Sequence, residues 1–284
     1  MKAVFVLTPA ESRRLIAKGV AQMDEVKAAL ERAYVIIVGG TTNGFVAQEL
    51  TDQDIDPQAF TAGTSTSGVL CVTREDERST RIPIVLYKGE PVDKTPVEAF
   101  EDFHIETVVI KGGNAIDMDG NVGVITSGFD GGTVSATIGY MTSTGMKYIF
   151  PVGLEKLLPS VPEAARWCGS KTFDYSMGAP FGMYCVSYGI PFTEIDALKT
   201  LSGVTETQLI AAGGIGGSQG AVVIAVKGDE ATVKRAIHAV ESVKGEPPVE
   251  ALKGRCDECP YETCAYHGVK EEDLPEWLQT FSVT

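Results

Sequence analysis

The sequence predicts an α/β fold: a doubly wound, mostly parallel sheet with a small α+β lid domain and a Cys-rich C-terminal tail. Three observations predict it. Short, unbroken apolar runs such as "YVIIV" (34–38) and "TVVIK" (107–111) read as strands buried on both faces, as parallel sheets require. Segments with helical spacing stand between several of these runs, and that alternation indicates βαβ winding. The clean period then fails over residues 170–192, recovers as a short helix–strand–helix pattern, and gives way to clustered cysteines. The division that follows is a Rossmann-like domain over residues 1–170, a small α+β domain over 171–248 and the tail over 249–284.

The first helix is expected from Thr8, which can cap, with Pro9 at the first helical position and Glu11 completing a capping box. Leu15, Ile16 and Val20 recur at helical spacing, and a joint is expected between Gly19 and Asp24. Tyr34–Val38 is the next strand, "GGTTNG" (39–44) a glycine-rich loop, and Phe45–Leu50 the start of a helix. Bare amides ahead of a helix N-terminus are the commonest way an α/β protein cradles an anion. The loop is neither G-x-G-x-x-G nor a Walker A loop, so a plain βα turn explains it equally well. Further strands are expected at 68–73, 82–87 and 147–152, with helical or mixed segments at "PVEAFEDF" and "GGTVSATIGYMTSTG". Beyond residue 193 come a helix, a glycine-rich turn ("AAGGIGGSQG"), the strand "AVVIAV" and a helix from Asp229 to Gly245. "GGIGG" precedes a strand, which is the wrong order for a dinucleotide loop. "GEPPVEALKG" reads as a linker stiffened by Pro247 and Pro248.

Twenty-four Lys+Arg against 38 Asp+Glu leave a net charge of −14, which repels a phosphate backbone and argues against nucleic acid as a bulk partner. No apolar run approaches the roughly 18 residues of a membrane span, and the opening "MKAVFVLTPAESRR" lacks a signal-peptide core. A cytoplasmic protein is expected, acting on a small anionic metabolite; homo-oligomerisation is left open. No Ser/His/Asp or Cys/His nucleophile arrangement can be drawn from the three histidines.

"GGTTNG", "KGGNAID" (111–117), Gly131–Gly132 and "KYIFPVGLEK" (147–156) follow one another in an order that resembles a known superfamily. It contains type A ribose-5-phosphate isomerase, glucosamine-6-phosphate deaminase, the CoA-transferase domains and related isomerases. The resemblance spans about residues 34–245 as an order of elements. It implies a ligand at the carboxyl edge of the sheet beneath a small α+β lid, with Lys156 closing the last motif. Where those isomerases carry acids, this sequence has Lys111 and Asn114. Asp130 stands where a Lys would be expected, and the helix after Gly132 offers no carboxylate. The enediol chemistry, which needs a placed carboxylate, is therefore not carried over.

The candidate site on this reading has Lys111, Asn114 and Asp117 as catalytic groups. Lys111 would be an anion clamp or a desolvated amine, against a solvated Lys at a loop start. Asn114 would bind a hydroxyl or carbonyl, or simply tolerate a left-handed turn. Asp117 and Asp119 would pair as acid and base or hold a divalent ion; an exposed Asp-Gly turn explains Asp119 equally well, and Asp117, one step closer to the strand, is the better candidate. Ligand-binding positions are Gly39, Gly40, Thr41, Thr42, Asn43 and Gly44, then Gly112, Gly113, Gly131 and Gly132, and Lys156. In the tail, Cys256, Cys259, Cys264 and His267 form C-x2-C-x4-C-x2-H, suited to a tetrahedral zinc ion. An iron–sulfur cluster with a ligand from elsewhere, reduced thiols or one disulfide are the alternatives. The functional expectation is an enzyme acting on a sugar phosphate or a CoA-type carboxylate. The rivals are a ligand-binding regulator without chemistry and a metal or redox sensor using the tail.

Overall fold

The computed structural model describes residues 1–72, 82–102, 104–128, 131–251 and 253–279. It is a mixed α/β structure. The chain opens with β1 (Lys2–Leu7), α1 (Pro9–Gln22), α2 (Asp24–Arg32), β2 (Tyr34–Ile37) and α3 (Thr41–Leu50). A hairpin of β3 (Gly63–Thr66) and β4 (Val69–Val72) follows, then β5 (Ile84–Tyr87), β6 (Glu90–Pro91), α4 (Pro96–Glu101) and β7 (Val108–Ile110). Next come β8 (Ala115–Ile116), β9 (Val122–Thr126), α5 (Gly132–Thr144), β10 (Lys147–Pro151), a 3₁₀ turn at Leu154–Lys156 and α6 (Val161–Arg166). The remaining elements are β11 (Gly182–Val186), β12 (Ile190–Phe192), α7 (Glu194–Ser202), β13 (Glu206–Ala212), β14 (Val222–Lys227) and α8 (Glu230–Glu241).

Capping chemistry sets the first helix as expected. The Thr8 side chain accepts from the Glu11 N–H, Glu11 reaches back to the Thr8 N–H at 2.9 Å, and Pro9 stands at the helix start. The joint falls at Met23, inside the expected interval, where extended backbone separates α1 from α2.

The largest sheet has the order β12-β10-β7-β2-β5-β6. Its first four strands are parallel, and Ile37, Ile110 and Ile149 stand level across three of them. β5 and β6 run antiparallel, so the sheet is mixed rather than wholly parallel. A two-residue turn at Lys88 and Gly89, both at positive φ, folds β6 back on β5, the geometry that suits a tight hairpin. Both faces are covered. Val35, Ile37, Val108, Ile110 and Ile149 face a core built with α1, α3, α7 and α8. Tyr34, Ile36, Val109, Tyr148 and Phe150 face a second core with Phe100 of α4, Met141 of α5, and Val122 and Val124 of β9. Each fully buried aliphatic chain contributes about 1.5–3 kcal/mol, and burial on both faces explains why these strands lack polar alternation.

Two smaller sheets complete the frame. In the sheet β11-β9-β8, β11 arises within the stretch 170–192 that showed no period. The other is β1-β14-β13, antiparallel throughout, so the chain's first strand completes a unit expected only from residue 171 onward. Val222, Ile224 and Val226 of β14 belong to the same core as Ile37 and Ile110. The unit expected as a lid therefore packs as a continuation of the main core. Gly19 permits that contact: a side-chain carbon there would meet Ala197 of α7 at 2.8 Å.

Glu11 anchors this arrangement at a distance, since the buried carboxylate also accepts from Lys244 Nζ at 2.7 Å and the Gly245 N–H at 3.0 Å. Its replacement by Ala removes a cap and a charged partner together. We expect Glu11→Ala to lower stability by about 2–4 kcal/mol in urea denaturation, whereas a loss under about 0.5 kcal/mol would show that the N- and C-terminal helices are held by apolar packing alone.

Candidate functional site

Because β2, β7, β10 and β12 are parallel, the chain leaves all four at the same edge. Backbone pairing continues just past the strands: the Val38 N–H donates to the Ile110 carbonyl, Lys111 to Ile149 and Val152 to Phe192, at 2.9–3.0 Å. The segments beyond are Gly39–Gly40, Lys111–Asn114, Gly153–Lys156 and Thr193–Glu194. Ligands of open α/β sheets bind at such an edge.

After β2 the expected loop is shorter than its sequence suggests. Only Gly39 and Gly40 form a turn, with Gly40 at φ +155°, which glycine alone adopts readily. Thr41, Thr42, Asn43 and Gly44 already make the first turn of α3, which carries no side-chain cap. Asn43 is fully buried, and its Nδ2 donates to the Val38 carbonyl at 2.6 Å and the Ile110 carbonyl at 3.1 Å. It thereby clamps the ends of β2 and β7. Its Oδ1 has no partner among the described residues and lies across from Gly112, where a side-chain carbon would stand 3.8 Å away.

Lys156 stands close enough for its ammonium to act on the charge of Lys111. Lys111 is partly buried and its Nζ reaches only the Gly112 carbonyl, at 3.5 Å; Lys156 Nζ donates to the Gly113 carbonyl at 3.0 Å. Neither forms an ion pair among the described residues. Desolvation, reinforced by the charge of Lys156, brings the Lys111 pKa down to about 8. Burial also lowers Lys156, opposed by the carboxylates of Glu155 and Glu194 and assisted by Arg13.

Those last three residues were not visible from the sequence as site groups. Arg13 in α1 pairs with Glu155 at 3.1 Å, and Glu155 Oε2 is buried without a hydrogen bond. Glu194 is fully buried and accepts from the Leu154 N–H at 2.9 Å. Burial pushes its carboxyl up to about 6, although backbone N–H groups and Ser12 pull the other way. Glu194 follows a capping Thr193 and so reads, in sequence, as an ordinary first-turn acid.

The structure gives the remaining candidates other work. Asp117 is buried, and its two oxygens accept from the N–H groups of Asp119, Asn121 and Val161 and from the Asn121 side chain, at 2.9–3.1 Å. Burial alone would raise its carboxyl, but these donors outweigh it and hold the pKa below the usual value. A carboxylate so saturated braces the 117–121 turn and the start of α6, and has no lone pair left for acid–base chemistry. Asn114 is exposed and its Oδ1 accepts from the Ile125 N–H at 3.1 Å, tying it to the β8–β9 hairpin. Gly131 and Gly132 approach Tyr184 and Thr126 of the β11-β9-β8 sheet. Asp130 lies outside the described residues.

In the tail, Cys256, Cys259 and Cys264 line one cavity, whereas His267 is exposed and does not line it. No described group of three or more His, Cys, Asp or Glu is gathered in an arrangement that holds a metal ion. Among the described residues no helix is long and apolar enough to cross a membrane. Neither a known family model, nor a curated protein, nor a solved structure matches the chain.

Two outcomes test this geometry. Asn43→Asp sets carboxylate oxygens against two buried carbonyls, and we expect a loss of about 2–3 kcal/mol in urea denaturation; an unchanged midpoint would mean the strand ends do not depend on the clamp. Lys111 has its folded pKa below its unfolded value of 10.5, so its charged form opposes folding below about pH 8 and the opposition fades as pH approaches 10.5. Lys111→Met is therefore expected to stabilise the protein by about 1–2 kcal/mol at pH 7, allowing for solvent screening at a partly buried site. Thermal melts should show the gain vanishing near pH 10.5, and a gain independent of pH would contradict the desolvated ammonium.

Proposed function

We propose that the protein is an enzyme acting on a small anionic metabolite that carries a carbonyl group, of the sugar-phosphate or CoA-type carboxylate class, bound at the carboxyl edge of the sheet. The observation that carries this reading is the pair Lys111 and Lys156 at the ends of neighbouring strands, with only backbone carbonyls for partners among the described residues. Two ammoniums without an ion pair among the described residues favour an anion between them, and that anion relieves the repulsion. The residues around them supply two further acceptors, Asn43 Oδ1 and Glu155 Oε2, suited to substrate hydroxyls.

The roles then divide. Lys156 holds the anionic group. Lys111, with a pKa near 8, is neutral in roughly a tenth of molecules at pH 7 and can attack a carbonyl carbon. The carbonyl oxygen takes up a proton to give a carbinolamine, and its loss as water leaves an imine on Nζ. The motif order shared with the ribose-phosphate isomerases supports an anionic metabolite. Asp117 is saturated and cannot take up their carboxylate chemistry, and so the amine receives the chemical role. That saturation also favours the second reading, a regulator that binds the same ligand without turning it over.

The test is reductive trapping. The protein is incubated with a panel of sugar phosphates and 2-oxo acids, treated with borohydride, and mapped by mass spectrometry. We expect a covalent adduct on Lys111 that increases from pH 7 to pH 9, disappears in Lys111→Ala, and needs at least tenfold more ligand in Lys156→Ala. A thermal shift of the kind a saturating ligand produces (~2.7 kcal/mol at a hundred times Kd) without any adduct supports the regulator and refutes the amine. Neither shift nor adduct across the panel refutes both.

A further inference from the structure

The last described stretch, residues 253–279, packs away from the two large cores. Its apolar contacts form a third, small cluster in which Val69, Leu274 and Leu278 are buried, with Cys71, Cys256, Tyr266 and Val269 packed around them. Three buried aliphatic chains contribute about 5–9 kcal/mol. Ordering a segment of this length costs about 1–2 kcal/mol per residue in backbone entropy alone, several times more than the cluster returns. A module this poor in core requires a staple.

Beside this cluster lies a cavity of about 20 Å³, lined by Cys71 of β4 together with Cys256, Cys259 and Cys264. No disulfide joins any of these thiols. Each sulfur is also met by a donor. The Gly254 N–H donates to Cys71, Tyr261 N–H to Cys259, and Tyr266 N–H to Cys264 at 3.4 Å. Lys253 Nζ lies 3.9 Å from the Cys256 sulfur, with its own side chain only 3% exposed. A neutral thiol is a weak acceptor, and donors set around four sulfurs are placed as outer-shell hydrogen bonds are at metal centres. The same two-residue step recurs at 259→261 and 264→266.

We propose that Cys71, Cys256, Cys259 and Cys264 hold one zinc ion in a closed four-sulfur site that staples the tail to the β3–β4 hairpin. Cys71, remote in sequence, takes the fourth position that the local spacing assigned to His267. The cavity volume favours a single ion, since about 10–15 Å³ accommodates one water-sized sphere and a four-iron cluster is far larger. The four thiols line the cavity without being drawn to ligand distance of a common point. Binding draws the sulfurs in to about 2.3 Å from the ion and couples zinc to the folding of the tail. Four ligands leave no open position, which makes the role structural and independent of the sheet-edge chemistry.

The experiment begins with the full chain purified under reducing conditions, analysed for metals and labelled with maleimide before and after chelation. One zinc per chain is expected, with Cys71, Cys256, Cys259 and Cys264 protected until the metal is removed, while exposed Cys185 labels throughout. His267→Ala should keep its zinc. Cys71→Ser should bind at least tenfold more weakly in a chelator competition, and Cys71→His should restore much of that loss. The wild-type labelling map decides the matter even where Cys71→Ser fails to fold. Zinc retained by Cys71→Ser but lost by His267→Ala, label on Cys71 in the zinc-bound protein, iron with acid-labile sulfide, or no metal and no protection would each overturn the proposal.

Discussion

Parallel pairing of β2, β7, β10 and β12, buried on both faces, is the constraint on which the rest of the molecule depends. It demands residues that are apolar on both sides of the strand, which is why Tyr34–Ile37 and Val108–Ile110 carry no polar position at all. It also delivers four chain segments to one edge, where their amides and carbonyls need partners. Asn43 meets part of that need by bonding two carbonyls from two strands, and the glycines that follow β2 and β7 let the backbone turn away without a side chain in the space left over. The edge proposed to bind a ligand is thus a consequence of how parallel strands must end.

Charge at that edge is bought with stability. Lys111, Arg13, Glu194 and the adjacent pair Glu155 and Lys156 are drawn from four places in the chain, and burial works against the charged form of both lysines and of Glu194. A core assembled for stability alone would place apolar groups there. Stored cost of this kind concentrates where binding or chemistry is done. Asp117 shows the contrasting case. Its carboxylate is equally buried, yet five hydrogen bonds pin it as an anion that holds backbone in place.

The two regions proposed to bind something differ in what organises them. At the sheet edge, rigid strands set the lysines, and the ligand completes a site already framed. In the tail, the apolar cluster is too small to do the framing, and the ligand itself would supply the order. Both cases use residues far apart in sequence, and in both the group contributed from afar (Glu194 or Arg13 at the edge, Cys71 in the tail) has no local motif around it.

Local chemistry determined what local chemistry can. The Thr8–Glu11 capping box and the joint at Met23 depend on interactions within a few residues, and the strands β2, β7 and β10 carry the mark of their burial in an unbroken apolar run, so spacing and residue type sufficed to place them. Lys111 was legible because it follows a strand directly, whereas Lys156 was marked only by the resemblance in motif order. What depended on a distant partner was not. β1 becomes a strand only beside β14, more than 200 residues away, and β11 emerges from an aperiodic stretch because β9 offers it a partner. The direction of β5, the saturation of Asp117 by Val161, and the arrival of Cys71 beside the tail were likewise decided in three dimensions. Hydrogen-bond donors and desolvation act through space, and a linear pattern records only those neighbours that are also neighbours along the chain.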